Sequence, residues 1–390
     1  MSAQNKIEKA DKAYKRTYKF FRLPFKLLCK WKLGFDAKPK TYNEPLLILS
    51  THTTDFDFTA VSRLIKDPCY YLCSQHILGM KFIGKPFEKL FNPIAVFKGG
   101  NKMSEVMEVV KRIRRGNSVL IFPEGRLSHN GRTAEIHFST AKLAKLAKCK
   151  VVVVRQYGGF FIAPRWQTYL NGGKLFGAEI AAEYTKEQIA EISTEELYEE
   201  LKKQLFVDHY AIQRQRMQKF KWKHGIRDIT RYYDVCPCCG KLDQLSAKGF
   251  TVTCNSCGHS FYMDEYGFFH SDDENFQTTY DWERIQLQRY KQLLYDDKQK
   301  MTDDGVTLYK VGHRLAKTLI SVQDLSCDAK NLYFGNKTVP FAQINAMDIL
   351  AGGSALELTI GNDHYELYKE GACLNKYLEA QKFVLGFDPQ

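Results

Sequence analysis

Apolar residues follow two spacings through the first half of the chain, and a third takes over towards the end. Tyr14, Tyr18, Phe21, Phe25 and Leu28 recur at steps of four and three, which is one face of a helix. Pro24 falls inside that stripe and predicts two helices in place of one. Residues 46–49, 119–122 and 151–154 are short unbroken apolar runs, the pattern of strands buried on both faces. Residues 69–73 read as a shorter strand. Between them, residues 56–65, 101–115 and 139–147 carry helical spacing. The middle one sets Met103, Val106, Met107, Val110 and Ile113 on one face and stops at Gly116. Strands alternating with helices predict an α/β layer structure, a mixed sheet flanked by helices. Residues 182–221 read as mostly helical, with Leu197, Leu201 and Leu205 four apart, and residues 275–300 as a further helix. From Val306 the spacing changes to short alternating strands, with glycine turns at Gly305, Gly335, Gly352 and Gly361, and a helix over 373–385.

A chain of 390 residues is too long for one ordinary domain. The spacing suggests basic amphipathic helices at 1–40, an α/β domain at 41–225, a small module at 232–265, and a helix plus β-rich domain at 275–390. Several strands closed by one helix is the layout of a small β-barrel of the pleckstrin-homology kind. The formal net charge is +13, split into about +20 over residues 1–261 and about −7 over the rest. The basic part therefore asks for an anionic partner that the last third does not share; a membrane face, a phosphorylated substrate and nucleic acid all qualify. No apolar run is long enough to span a bilayer, and the N-terminus is polar, with no secretory leader pattern. Eleven cysteines, with metal-type spacing for four of them, point to a reducing compartment. The expectation is a cytoplasmic protein lying peripherally on the inner face of the membrane, with the basic, aromatic N-terminal helix either on lipid or packed on its own domain.

Two strand-like runs end in polar loops, where α/β folds bind ligands. The first loop reads Ser50-Thr51-His52-Thr53-Thr54-Asp55-Phe56-Asp57. Residues five apart on a straight helix diverge. With His52 on the loop and Asp57 in the first helical turn, however, the carboxylate can fix the imidazole tautomer and leave the other nitrogen as a base. The bland alternative is that Thr54, Asp55 and Asp57 cap a helix and His52 is incidental. The second loop is Pro123-Glu124-Gly125-Arg126, an acid, a flexible glycine and a guanidinium suited to phosphate. Alone it is equally a turn with a surface ion pair.

Together the two loops resemble the glycerophospholipid acyltransferases typified by 1-acylglycerol-3-phosphate acyltransferase. That family's first motif, His-x4-Asp, matches His52 and Asp57. Its Phe-Pro-Glu-Gly motif matches residues 122–125, and a basic residue ending a strand matches Lys98. The resemblance covers roughly residues 15–215. It implies an α/β acyltransferase domain with His52 and Asp57 as the catalytic pair, and Lys98, Glu124, Gly125, Arg126 and Arg132 as substrate-binding candidates. It implies a lysophospholipid acceptor, 1-acylglycerol-3-phosphate foremost, and acyl-CoA or acyl carrier protein as donor, with no catalytic cofactor. Two departures stand out. Arg126 comes one place earlier than the family's arginine, and Lys150 occupies the position of a proline in the fourth motif. A non-catalytic lipid-binding protein of the same fold is the competing reading.

Cys236-Pro237-Cys238-Cys239-Gly240 and Cys254-Asn255-Ser256-Cys257-Gly258 form two Cys-x-x-Cys-Gly knuckles. This spacing predicts a zinc ribbon with Cys236, Cys239, Cys254 and Cys257 as ligands of a structural zinc and Cys238 spare. Zinc ribbons often bind nucleic acid, but Asp264, Glu265, Asp272, Asp273 and Glu274 follow at once, which is unsuited to a phosphate-tracking surface. A nucleic-acid partner is therefore not expected.

Overall fold

The computed structural model describes residues 3–74, 78–79, 84–96, 102–312 and 315–386. The three apolar runs become neighbouring strands, because a chain buried on both faces needs a backbone partner at each edge. β1 (Leu46–Ser50) lies parallel between β4 (Ser118–Ile121) and β5 (Lys150–Tyr157). β2 (Cys69–Ser74) and β3 (Ile94–Val96) extend the parallel sheet beyond β4, and β6 (Gly177–Tyr184) closes the far edge antiparallel to β5. The order is β3-β2-β4-β1-β5-β6. Two groups of helices pack around it. One is α1 (Ala3–Leu28), α2 (Asp57–Leu64) and α3 (Gly84–Phe91). The other is α4 (Lys102–Arg114), α5 (Ser139–Ala147) and α6 (Thr194–Leu205).

Two expectations are corrected. Residues 182–184 belong to β6, not to a helix, because they supply the partners of Val151, Val152 and Val153 on the exposed edge of β5. The helical stretch begins only at Lys186, behind a Thr185–Gln188 capping box. Pro24 does not divide α1, which runs unbroken from Ala3 to Leu28. The carbonyl left without a helical donor is that of Phe20, a residue 75% exposed, where water can replace the lost bond. Tyr18 and Phe25, on either side of the proline, are both buried in the same core and keep the turns in line.

The stripe of α1 faces the domain: Tyr14, Tyr18 and Phe25 are buried, and Tyr14 stacks on Tyr70 with ring centroids 4.1 Å apart. A second apolar face, invisible in the first periodicity, points outward. Phe20, Leu23, Leu27 and Trp31 are all more than half exposed, beside exposed Lys19 and Lys30. Among the described residues no helix is long and apolar enough to cross a membrane.

Beyond β7 (Lys223–Ile226), a small antiparallel sheet is built from β8 (Leu245–Lys248), β9 (Thr251–Cys254), β10 (Ser260–Met263) and β11 (Phe269–His270). α7 (Thr279–Lys291) follows. The last part is a seven-stranded antiparallel sheet of β12 (Met301–Val311), β13 (Lys317–Cys327), β14 (Asn331–Phe334), β15 (Lys337–Pro340), β16 (Ile344–Ile349), β17 (Leu356–Ile360) and β18 (Asp363–Tyr368). Its order, β15-β14-β13-β12-β18-β17-β16, leaves β15 and β16 unpaired with each other among the described residues, so it is an open half-barrel. α8 (Asn375–Val384) buries residues 375–381.

These parts share one hydrophobic core. It runs from Phe160, Trp166 and Tyr210 through Phe261 of the small module to Leu356 and Tyr377 of the half-barrel. At its centre the Trp282 indole of α7, fully buried, meets the rings of Tyr233, Phe261, Phe269 and Phe276.

Candidate active site

Because β1 and β4 are hydrogen-bonded in parallel register, with Leu49 opposite Ile121, their C-terminal loops emerge side by side. The loop after β1 folds back on Asp57, the first residue of α2. The Asp57 carboxylate is fully buried and accepts from His52 Nδ1 at 3.0 Å, the Thr53 and Thr54 N–H groups, and both threonine hydroxyls. An ionised carboxylate only accepts, so His52 Nδ1 carries the proton and Nε2 keeps its lone pair. The imidazole lies flat on the Phe122 ring, centroids 4.0 Å apart and planes 13° apart, which fixes its plane. Its side chain is 22% exposed while Asp57 is 0%, so the ring, and not its partner, can be reached from outside. The structure thus brings together the two residues that spacing alone left ambiguous.

Glu124 occupies a different place from the expected substrate-binding one. It is 5% exposed, and its two oxygens are taken by the His52 N–H and the Ala134 N–H, each at 2.7 Å. It brackets the two loops together. Ser128 adds a second tie, donating its N–H to the His52 carbonyl at 2.9 Å. Burial pushes the Glu124 carboxyl up to about 8 against the pull of those two N–H groups and Arg126. On the other flank, Gln156 donates its N–H to Thr51 Oγ1 at 2.9 Å and its side-chain amide to Ser50 Oγ.

Gly125 has φ 66°, the left-handed conformation that turns the chain back after Pro123, and nothing crowds the space a Cβ would take. Its glycine is required by the backbone, not by packing. Arg126 follows, half-buried, with no ion pair to any described residue. Arg132 is matched already: its Nε is 2.9 Å from Asp208 Oδ2, and its guanidinium lies 3.6 Å from the centre of the Tyr280 ring. Lys98 lies outside the described residues. Lys150 begins β5 and pairs with Glu44.

Thr53, Thr54, Phe122 and Ser128 complete the site; the sequence offered Thr54 only as a helix cap and Phe122 only as part of a motif, and did not point to Thr53 or Ser128. Two threonines three and four residues before an aspartate that opens a helix are the one available signal, since each can donate both N–H and O–H to it.

The four cysteine sulfurs of the small module lie within 4.8 Å of one another, with Cys236–Cys257 and Cys239–Cys254 Sγ pairs both at 3.8 Å. Four thiolates about 2.3 Å from a zinc ion form a tetrahedron with edges of about 3.8 Å, whereas a disulfide needs about 2.05 Å. The donor set and spacing fit zinc. Gly240 and Gly258 both take positive φ and return their N–H groups to the carbonyls of Cys236 and Cys254 at 2.9 Å, so each knuckle curls around its sulfurs. Cys238 is exposed and outside the cluster.

The family model described as Acyltransferase matches residues 34–156, which contain both loops. The crystal structure of the 1-acyl-sn-glycerophosphate (LPA) acyltransferase, PlsC, from Thermotoga maritima is similar at 16% identity and a TM-score of 0.40, over 55% of this chain and 84% of that one.

Glu124→Gln is expected to turn an amide NH2 towards one of the two backbone donors and leave it unpaired. The loss is about 1–3 kcal/mol at acid pH, read by denaturant unfolding. The folded-state carboxyl holds its proton up to about 8; the unfolded chain releases it near the ordinary value. The wild type's advantage is therefore largest below that ordinary value and shrinks as pH rises through about 8. An advantage that is absent, or that grows with pH, contradicts the bracket.

Proposed function

We propose, from the premise that this chain belongs to the acyltransferase family through residues 34–156, that it moves a fatty acyl group from a thioester to the free hydroxyl of a lysophospholipid. The acceptor of choice is 1-acylglycerol-3-phosphate, giving phosphatidic acid, and the donor is acyl-CoA or acyl carrier protein. The observation that carries this reading is the His52–Asp57 pair, a partly exposed imidazole held by a buried carboxylate. A protein that only bound lipid would have no use for a base and its orienting acid.

His52 Nε2 takes the acceptor hydroxyl proton as that oxygen attacks the thioester carbonyl carbon. The tetrahedral intermediate expels the carrier thiolate, which takes the proton back from the imidazolium and leaves His52 neutral. Asp57 stays ionised throughout, stabilising the imidazolium and keeping Nδ1 protonated. Arg126, in no ion pair with a described residue, is suited to the acceptor phosphate, with Lys98 as a second cation. The serine of a hydrolase triad is replaced by the acceptor's own hydroxyl, so water must be kept from competing. The Phe122 ring on one face of His52 contributes to that.

The outward face of α1, continued by Trp31 in the helical turn Cys29–Leu33, supports a peripheral place on the cytoplasmic leaflet. Four large apolar side chains flanked by lysines have the composition of an interfacial helix, and acceptor and product both reside in lipid. The half-barrel capped by α8 is consistent with a pleckstrin-homology-like module. The four cysteines hold a structural zinc, all four positions being taken by sulfur.

Purified protein given lysophosphatidate and labelled acyl-CoA, with acyl carrier protein as the rival donor, is expected to form phosphatidic acid. His52→Ala should lower turnover by at least about two orders of magnitude without unfolding, the scale of a lost general base. Wild-type turnover by that variant ends the proposal. Replacing Phe20, Leu23, Leu27 and Trp31 together with serine should release the protein from anionic vesicles in a sedimentation assay. Unchanged partition would remove α1 as the anchor. Metal analysis should find about one zinc per chain, lost with the fold of the small module in Cys239→Ser; metal-free, folded wild-type protein would refute the zinc assignment.

A further inference from the structure

Residues 126–132 have no regular secondary structure, yet they carry Arg126 and the Ser128 tie to His52. Something must hold them, and much of what does lies outside the 34–156 segment. Glu283 of α7 accepts from both His129 Nε2 and Asn130 Nδ2. Thr279 Oγ1, one helical turn earlier, donates to the Asn130 carbonyl at 2.9 Å. Tyr280 lies beneath the Arg132 guanidinium. Tyr233, from the linker before the cysteine module, donates its hydroxyl to the His129 carbonyl at 2.9 Å. α7 itself is rigidly started by a Thr278–Asp281 capping box and anchored by Trp282 in the shared core.

From this arrangement, and resting on the acyl-transfer reading above, we infer that Glu283 is a positioning residue for the phosphate-binding turn, so that the C-terminal part of the chain frames the active site instead of being a separate attachment. The carboxylate is buried and receives two donors from consecutive residues of one loop, a geometry that sets both the position and the rotation of that loop. The His129 proton keeps the Glu283 carboxyl charged, well below the usual carboxylate range. A neutral side chain there cannot hold both donors equally. Glu379 and Lys382 of α8, paired with each other, close the far side of the same cluster, so α8 of the half-barrel also backs the turn.

Glu283 touches no reacting atom in this account. It acts through the segment bearing Arg126, which binds acceptor equally in ground and transition states. Its loss should therefore fall on acceptor affinity and spare the chemical step.

The test uses the full chain with Glu283→Ala and Glu283→Gln. With lysophosphatidate as the varied substrate, Glu283→Ala is expected to raise KM by about tenfold with kcat nearly kept, and Glu283→Gln, which retains one acceptor, to fall between. In parallel, hydrogen exchange should quicken in peptides covering 126–132 while peptides from β5 stay protected. Wild-type KM in both folded variants, a loss confined to kcat, or exchange quickened equally throughout the protein would each overturn the inference. Should the wild type fail to acylate lysophosphatidate, the acyl-transfer reading fails. The exchange measurement then still decides whether Glu283 holds the turn: selective loosening of 126–132 supports it, and unchanged exchange refutes it.

Discussion

The Glu124 carboxylate spans the gap between the His52 N–H and the Ala134 N–H, and the site depends on that bridge. Parallel pairing of β1 with β4 brings two loop starts together, but loops leaving a sheet are free to diverge. A buried acid with one oxygen on each loop removes that freedom. It also gives the His52 N–H a partner from the other loop and the Ala134 N–H one from its own. The cost is a carboxyl held away from water, visible in its upward displacement, which is the sort of local expense that folds carry at functional sites.

Two buried acids with different duties hold the same histidine, Asp57 through its ring and Glu124 through its backbone N–H. Glu124 holds backbone and has no solvent contact to speak of. Asp57, deeper still, is surrounded by five donors, two from backbone and three from side chains. With every contact made as an acceptor, Asp57 takes the proton-bearing Nδ1 of His52 and leaves the other ring nitrogen free. Thr53 and Thr54 thus hold the acid that orients the base, a duty that the reading of Thr54 as a helix cap conceals.

The strands were legible because runs such as 46–49 and 151–154 have no other use than burial. α5 was read to its observed ends, and the cysteine knuckles declared their own partners. Other features were not legible, for identifiable reasons. β6 is half-buried and alanine-rich, so its residues resemble the helix that follows. The proline in α1 was misread because its cost depends on whether water reaches the Phe20 carbonyl, which only packing decides. The role of Glu124 left no trace because its partners are backbone N–H groups, and any residue provides those. Arg132 looked free until Asp208 and Tyr280 arrived from distant sequence. Glu283 stands 154 residues from His129, beyond any motif. The change of composition near residue 232 suggested separable units, whereas the core runs straight through it.

The central claim is a tautomer: neutral His52 carries its proton on Nδ1, facing Asp57, and keeps a bare Nε2 on its partly exposed ring. Nitrogen NMR of protein labelled in its histidine rings reads this directly, with His52→Gln identifying the signal. The account predicts a protonated-type Nδ1 and an unprotonated-type Nε2 in the neutral form, with the Nδ1 proton lost to exchange slowly. The reverse pattern, or rapid averaging of the two tautomers, would contradict it.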